Sequence, residues 1–358
     1  MPATMTAQVF YEAEKMELKS VTVPTPGPDE VLIRVKSCGI CGSDLSYYYG
    51  QSSLETANGK GPLILGHEFS GEVMDVGSIP ESLNLFKKGD RVVIDPVQYC
   101  NACEICKRGI PNLCEHKKVL GVSVNGAFAE YCVSHYTGLH KIPTGVTYEQ
   151  AALTEPLACA VYAVNNMDIK LGDFAVVLGA GVLGMLQMQL AKSRGAGTVA
   201  LVDTVDYRLE IGKKVGASVL FNTADKNSPY YTEDLKKSIA ELTNGKYADA
   251  VVVATGSVSA MEQALEISGR RSRIVYFGLP SDTAVVRVPA LSSIFWDKTI
   301  RFSWLAPNTW PTALQAIANG LVNVDIIRTH SYELKDLPIG IADVKARKGN
   351  AMKAVVKP

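Results

Sequence analysis

No stretch of this 358-residue chain could cross a bilayer as a helix. The longest mostly apolar run, residues 174–188, is broken by Gly179, Gly181 and Gly184 and by Gln187, and a spanning helix needs about 20 apolar residues. Net charge is missing too. With 36 Lys and Arg against 36 Asp and Glu there is no basic field to neutralise a phosphate backbone, so nucleic acid is not an expected partner. Nor is an apolar leader expected, because Glu12, Glu14, Lys15 and Glu17 stand where a secretory signal would need an apolar run, and the expected location is the cytoplasm. Internal repeats and low-complexity tracts are absent. What is there is globular material, 47% hydrophobic, and at roughly 150 residues per domain its length predicts two domains.

Eight cysteines in a chain without an export signal are expected to be thiols or metal ligands, since reducing compartments disfavour disulfides. Cys100, Cys103, Cys106 and Cys114 crowd together, Cys38 and Cys41 form a second pair, and Cys132 and Cys159 stand alone. An even count would permit a disulfide framework. Such frameworks belong to small secreted chains, whereas this one is long enough to bury a core of its own.

Residues 21–153 alternate short β-rich runs (30–35, 71–76, 91–94 and 128–133) with Gly, Pro and Asn punctuation, the texture of an irregular all-β domain. From about 156 to 289, buried-type strands at 174–178, 198–202, 218–221, 250–254 and 273–277 alternate with helix-period segments such as 182–194 and 207–215. That pattern predicts a doubly wound parallel α/β sheet. Beyond residue 290 there is one helical segment, 312–319, and no independent unit, so this stretch is expected to pack back on the first domain.

At the start of the α/β half, Gly179-Ala-Gly181-Val182-Leu183-Gly184 follows a strand and opens a helix. The first glycine permits the tight turn, the second lets backbone approach a pyrophosphate, and the third lets helix and strand pack closely. The helix N-terminus supplies free N–H groups and positive potential. The second strand ends at Asp203, 24 residues after Gly179, near the spacing at which a carboxylate holds ribose hydroxyls and repels a 2′-phosphate. NAD is therefore expected over NADP. Arg208 either stacks on the adenine or is a solvated helix residue.

Four thiolates at the spacing Cys100-x2-Cys103-x2-Cys106-x7-Cys114 can close a tetrahedral shell around one zinc ion, which leaves no place for substrate and makes the site structural. An iron–sulfur cluster is the competing metal. Residues between the ligands offer little core, so metal would supply the folding energy of the lobe. A third, dispersed set comprises Cys41 with Ser43 and Asp44, His67-Glu68, and Glu155-Pro156. One thiolate, one imidazole and two carboxylates suit a zinc ion that keeps an open position. Spacing does not show that they meet, and singly each reads as a core residue or a helix start.

Taken in order, Cys41-Gly-x-Asp44, Gly66-His67-Glu68, the four-cysteine lobe, Glu155-Pro156 and the glycine loop resemble the zinc-dependent medium-chain dehydrogenases along the whole chain. Glutamate at Glu155, where alcohol dehydrogenases place a cysteine, resembles the sorbitol (polyol) dehydrogenase branch. The resemblance implies a β-rich GroES-like catalytic domain over 1–156 and 296–358, with a structural zinc lobe at about 96–116. A Rossmann domain over 157–295 would interrupt it. It also implies two zinc ions per chain, NAD, and a homo-oligomer, dimer or tetramer. The catalytic ion would be held by Cys41, His67 and one or both of Glu68 and Glu155, with Ser43 taking the alcohol proton first. Val182, Leu183, Thr255 and Gly278 join the expected cofactor contacts, and Tyr47 and Leu305 the expected substrate contacts.

Two departures from the family stand out. The relay position that commonly carries histidine is Ser46, and Leu305-Ala306 replace an Arg-Tyr pair that contacts polyol hydroxyls. The function implied is hydride transfer from a secondary alcohol, a polyol or vicinal diol, to NAD. The alternatives are a threonine-like amino-alcohol or galactitol-phosphate-like dehydrogenase and, from another class, a non-catalytic NAD-sensing zinc protein. Cys38 reads as a small core thiol rather than a redox partner of Cys41, and His116 as a bystander of the complete cysteine set.

Overall fold

The computed structural model describes residues 2–51 and 61–358. The chain forms two compact units. The first comprises Met1–Glu155, Trp310–Ala318 and Ile327–Pro358; the second comprises Pro156–Thr309 and Asn319–Ile326.

The first unit is β-rich. Its main sheet is built around Glu30–Gly39, which pairs antiparallel with Glu68–Val76 on one side and with the last strand, Lys353–Lys357, on the other. Two pairings of the main sheet place the site. Gly39 lies opposite both Glu68 and Val355, and Cys38 lies opposite both Phe69 and Val356. The last strand then runs parallel to Arg328–Glu333, and Arg91–Ile94 and Leu139–Lys141 extend the sheet from its other end. A hairpin of Thr4–Glu12 and Lys15–Thr22, ahead of the residue-21 start expected for the β domain, forms a second small sheet with Leu63–Ile64. Its outer strand is largely exposed and polar, which is why hydrophobic patterning misses it. Val97–Gln98 and Lys118–Val119 pair across the base of the cysteine lobe.

The second unit holds a parallel sheet, among the described residues six-stranded, in the order Val219–Asn222, Thr198–Asp203, Phe174–Leu178, Ala248–Val253, Ser268–Tyr276 and Thr299–Phe302. The first strand in sequence is central, so the order reverses at its carboxyl end, the position where doubly wound sheets bind ligands. Its residues 175–178 are buried, as expected for a strand covered on both faces. The sixth strand lies beyond the expected boundary at 295. Thr299–Phe302 is mostly exposed and too short to show the buried-strand pattern, yet its backbone pairs with Ser268–Tyr276 and extends the unit to Thr309.

Candidate metal centres and dinucleotide loop

The cysteine lobe is assembled locally. Cys103 caps the four-residue helix Glu104–Lys107, its sulfur accepting from the Cys106 N–H at 3.5 Å, while the Cys103 N–H donates to Cys100 Sγ at 3.4 Å. Sulfur separations are 3.5 Å for Cys114–Cys100 and 3.9 Å for both Cys100–Cys106 and Cys103–Cys114. Zinc–sulfur bonds of about 2.3 Å in a tetrahedron would put sulfurs about 3.8 Å apart, so the donor set fits zinc in kind and in spacing. N–H groups of Ala102 and Cys103 bring the Cys100 thiol down to about 6, whereas desolvation and the neighbouring sulfurs push Cys106 up to about 12. All eight cysteines are free of disulfides, and His116 is exposed.

The second cluster is assembled by the main sheet. Cys41, His67 and Glu68 each offer a ligand atom within 4.8 Å of the others. Cys41 sits in extended backbone at the start of the helix Gly42–Tyr48, and its N–H donates to Asp44 Oδ2 at 2.8 Å. The other oxygen of Asp44, a fully buried residue, accepts from the Gly66 N–H at 3.3 Å and lies 3.6 Å from His67 Nδ1. One carboxylate thus ties both ligand loops together and orients the imidazole, as groups behind metal ligands do. Burial alone would depress the His67 pKa, but Asp44 and then Cys41 override it and hold it well above its usual value. His67 Nε2 faces Ser43 Oγ at 3.4 Å. Ser46 donates back to the Gly42 carbonyl at 3.2 Å.

Glu155, in the first turn of Thr154–Met167, offers no atom to that three-residue cluster. Its charge is felt at Asp95, which burial and then Glu155 push up to about 8 against the pull of the Val97 N–H, and, behind those of Glu68 and Cys41, at the Lys353 ammonium. A residue that the sequence did not point to completes the site. Lys353 donates to both Glu68 oxygens at 2.7 Å. A single lysine inside the buried run Ala351–Val356 was the available signal. Tyr47 packs into the apolar core of the first unit at 5% exposure, and Leu305 has a left-handed backbone with φ of 60°. Cys38 is fully buried, which drives its thiol pKa well above normal.

In the second unit the three glycines of the loop sit in three different backbone environments. Gly179 has a φ of 102°, a region open to glycine, and a Cβ on Gly184 would collide with the Gly179 carbonyl. Around Gly181, which caps the helix Val182–Ser193, there is open space where a Cβ would point. Asp203 Oδ2 accepts from the Ala180 N–H at 2.7 Å, and Oδ1 accepts from Thr204 at 2.8 Å and Val205 at 3.0 Å, so the carboxylate locks the loop to the second strand. Arg208 lies 3.7 Å from Asp203 Oδ2. Gly278 packs against the Thr255 backbone so closely that a Cβ there would clash.

Comparison with known proteins places these features. Residues 27–144 match the alcohol dehydrogenase GroES-like domain and residues 182–319 match the zinc-binding dehydrogenase domain. The chain is 32% identical over 360 residues to a sorbitol dehydrogenase of Bacillus subtilis (strain 168), covering 100% of this chain and 98% of that protein. To a D-arabitol-phosphate dehydrogenase of Enterococcus avium it is 34% identical over 349 residues, 96% of this chain and 94% of the other. Its fold superposes on that of a short chain alcohol dehydrogenase (rspB) from E. coli CFT073 complexed with cofactor NADH. The TM-score is 0.89, with 28% identity and full coverage of both chains.

Proposed function

The chain belongs to the zinc-binding dehydrogenase family with a GroES-like domain, and on that premise we propose that it oxidises a secondary alcohol, a polyol or vicinal diol, with NAD. The observation that carries the reading is the Cys41–His67–Glu68 cluster, its imidazole and carboxylate buried and its thiol half-buried, in a chain that also carries the glycine loop closed by Asp203. Zinc held there by Cys41, His67 and a carboxylate of Glu68 or Glu155 supplies the Lewis acidity that draws an alcohol pKa toward neutrality, and NAD supplies the hydride acceptor. Asp44 fixes the His67 ring. Ser43 is the hydroxyl next to His67 and takes the alcohol proton first. Because Ser46 is bonded within its own helix, the proton leaves Ser43 through water or ribose. The four cysteines hold a second, structural zinc ion, and Arg208, Val182, Leu183, Thr255 and Gly278 complete the dinucleotide contacts.

We read the protein as a cytoplasmic homo-oligomer. Support for self-association comes from the second unit, where Leu291, Ile294, Phe295 and Phe302 are 66–77% exposed along a short helix and the outermost strand. Large apolar side chains left exposed at this density within twelve residues of chain are what a covering partner would bury.

The test is NADH formation across ethanol, 2-butanol, 2,3-butanediol, xylitol, sorbitol, galactitol, L-threonine and a hexitol phosphate. Vicinal diols and polyols are expected to lead by kcat/KM. Ethanol in first place would overturn the polyol reading, and no turnover with any of them would leave a non-catalytic sensor. A phosphate ester in first place would promote the phosphopolyol reading, which the Enterococcus avium relative favours. Cofactor choice gives a separate check. NAD should be preferred over NADP by about 2 kcal/mol or more, the scale of charge-assisted hydrogen bonds, and Asp203→Ser should narrow that gap. Because Asp203 also holds Ala180, the same variant should raise the NAD KM. Equal use of both cofactors by the native enzyme contradicts the assignment.

A further inference from the structure

Lys353 is a buried charge, 4% exposed, that the reaction as derived leaves without a role. Its ammonium makes three bonds, to Glu68 Oε1 and Oε2 at 2.7 Å each and to the Ile40 carbonyl at 3.0 Å. Three is also the number of protons an ammonium can donate, so the group is saturated. Backbone also runs close against the carboxylate. Gly39 is the register partner of Glu68, and a Cβ there would collide with Glu68 Oε2. Stability is a poor reason for such a pair, because desolvating two ions costs about as much as pairing them returns. Yet Glu68, 1% exposed, is also the third member of the Cys41–His67 cluster. One carboxylate therefore faces two cations, the ammonium and the metal.

We propose that Lys353 is a positioning residue that withholds Glu68 from the metal: clamped through both oxygens, the carboxylate stays in the outer shell, and the place it would fill is left open for the substrate. The inference rests on the reading of Cys41 and His67 as metal ligands. A lysine suits the task because its compact ammonium turns three donors to three acceptors, where a planar guanidinium would fork across two. Without that clamp Glu68 becomes a buried, unpaired carboxylate beside a cation, and it turns to the ion.

The test uses full-length protein loaded with cobalt(II) in place of zinc, read by its visible spectrum, and zinc-loaded protein read by the rate of metal loss to a chelator. Subtracting the spectrum of Cys41→Ser isolates this site from the four-cysteine lobe. Glu68→Gln should leave the cobalt spectrum of the site as in the native protein, because Glu68 is not a ligand there. Lys353→Met should shift that spectrum and slow metal loss by about tenfold or more, the scale of outer-shell changes in metal affinity. The double variant Glu68→Gln/Lys353→Met should bring both readouts back toward native, and Lys353→Arg, which keeps a clamp, should stay closer to native than Lys353→Met. If Lys353→Met does not fold, the Glu68→Gln spectrum decides alone. A shifted spectrum in Glu68→Gln, or a Lys353→Met protein with native spectrum and native metal loss, overturns the proposal while the metal reading stands. Native protein that takes up no cobalt at the Cys41 site overturns both.

Discussion

Replacing Cys103 with serine will remove one of two zinc ions from each chain and loosen the lobe at about 96–116. Cys103 Sγ faces Cys114 Sγ at 3.9 Å and caps the helix Glu104–Lys107, so the substitution removes a metal ligand and a helix cap together. Cys114 and Asn112 are buried there, but Leu113 is 51% exposed and the lobe's own strands, Val97–Gln98 and Lys118–Val119, are two residues each. With so little apolar burial, metal binding is the main source of order, and in isolated zinc lobes it supplies about 10 kcal/mol or more. Expected are metal analysis falling from two zinc ions to one and proteolytic cuts between Val97 and Val119 that the native protein resists. A native chain that contains one zinc ion, or iron, would refute the two-site assignment.

Cys41→Ser is expected to act in the opposite way, abolishing turnover while the fold persists. The bond that shapes the Cys41 loop comes from its backbone N–H to Asp44 Oδ2, and serine keeps it. What it loses is the one thiolate of the cluster, with the several kcal/mol of charge stabilisation that a properly held metal supplies. That corresponds to a drop of about a thousandfold or more in kcat. Circular dichroism and the melting midpoint should stay near native, and NADH absorbance should be lost. A Cys41→Ser enzyme that keeps its rate within tenfold would remove this cluster from the chemistry.

These two outcomes contrast because the two sites are encoded differently. The cysteine lobe is contiguous, so its spacing alone brings four sulfurs within 4.8 Å of one another with two short helical turns between them, Glu104–Lys107 and Pro111–Leu113. The glycine loop is contiguous as well. The left-handed turn at Gly179 and the close approach at Gly184 are properties of a six-residue segment after a strand, which is why the motif predicts them. Parallel strands also announce themselves, since burial on both faces leaves uninterrupted apolar runs such as Phe174–Leu178. The edge strand Thr299–Phe302 carries no such run and escapes the pattern.

The Cys41–His67–Glu68 cluster shows where sequence stops. Cys41, His67 and Glu68 come from a helix start and the beginning of a strand, and nothing in their spacing forces them within 4.8 Å; antiparallel pairing of Glu30–Gly39 with Glu68–Val76 does. Lys353 meets Glu68 across 285 residues because the last strand inserts between Glu30–Gly39 and Arg328–Glu333. Residue chemistry and local spacing thus determine which metals and cofactor the chain can take, since a donor set or a turn needs only its own segment. Which carboxylate a buried ammonium claims depends on strand order and register, and those arise only when distant segments share one sheet.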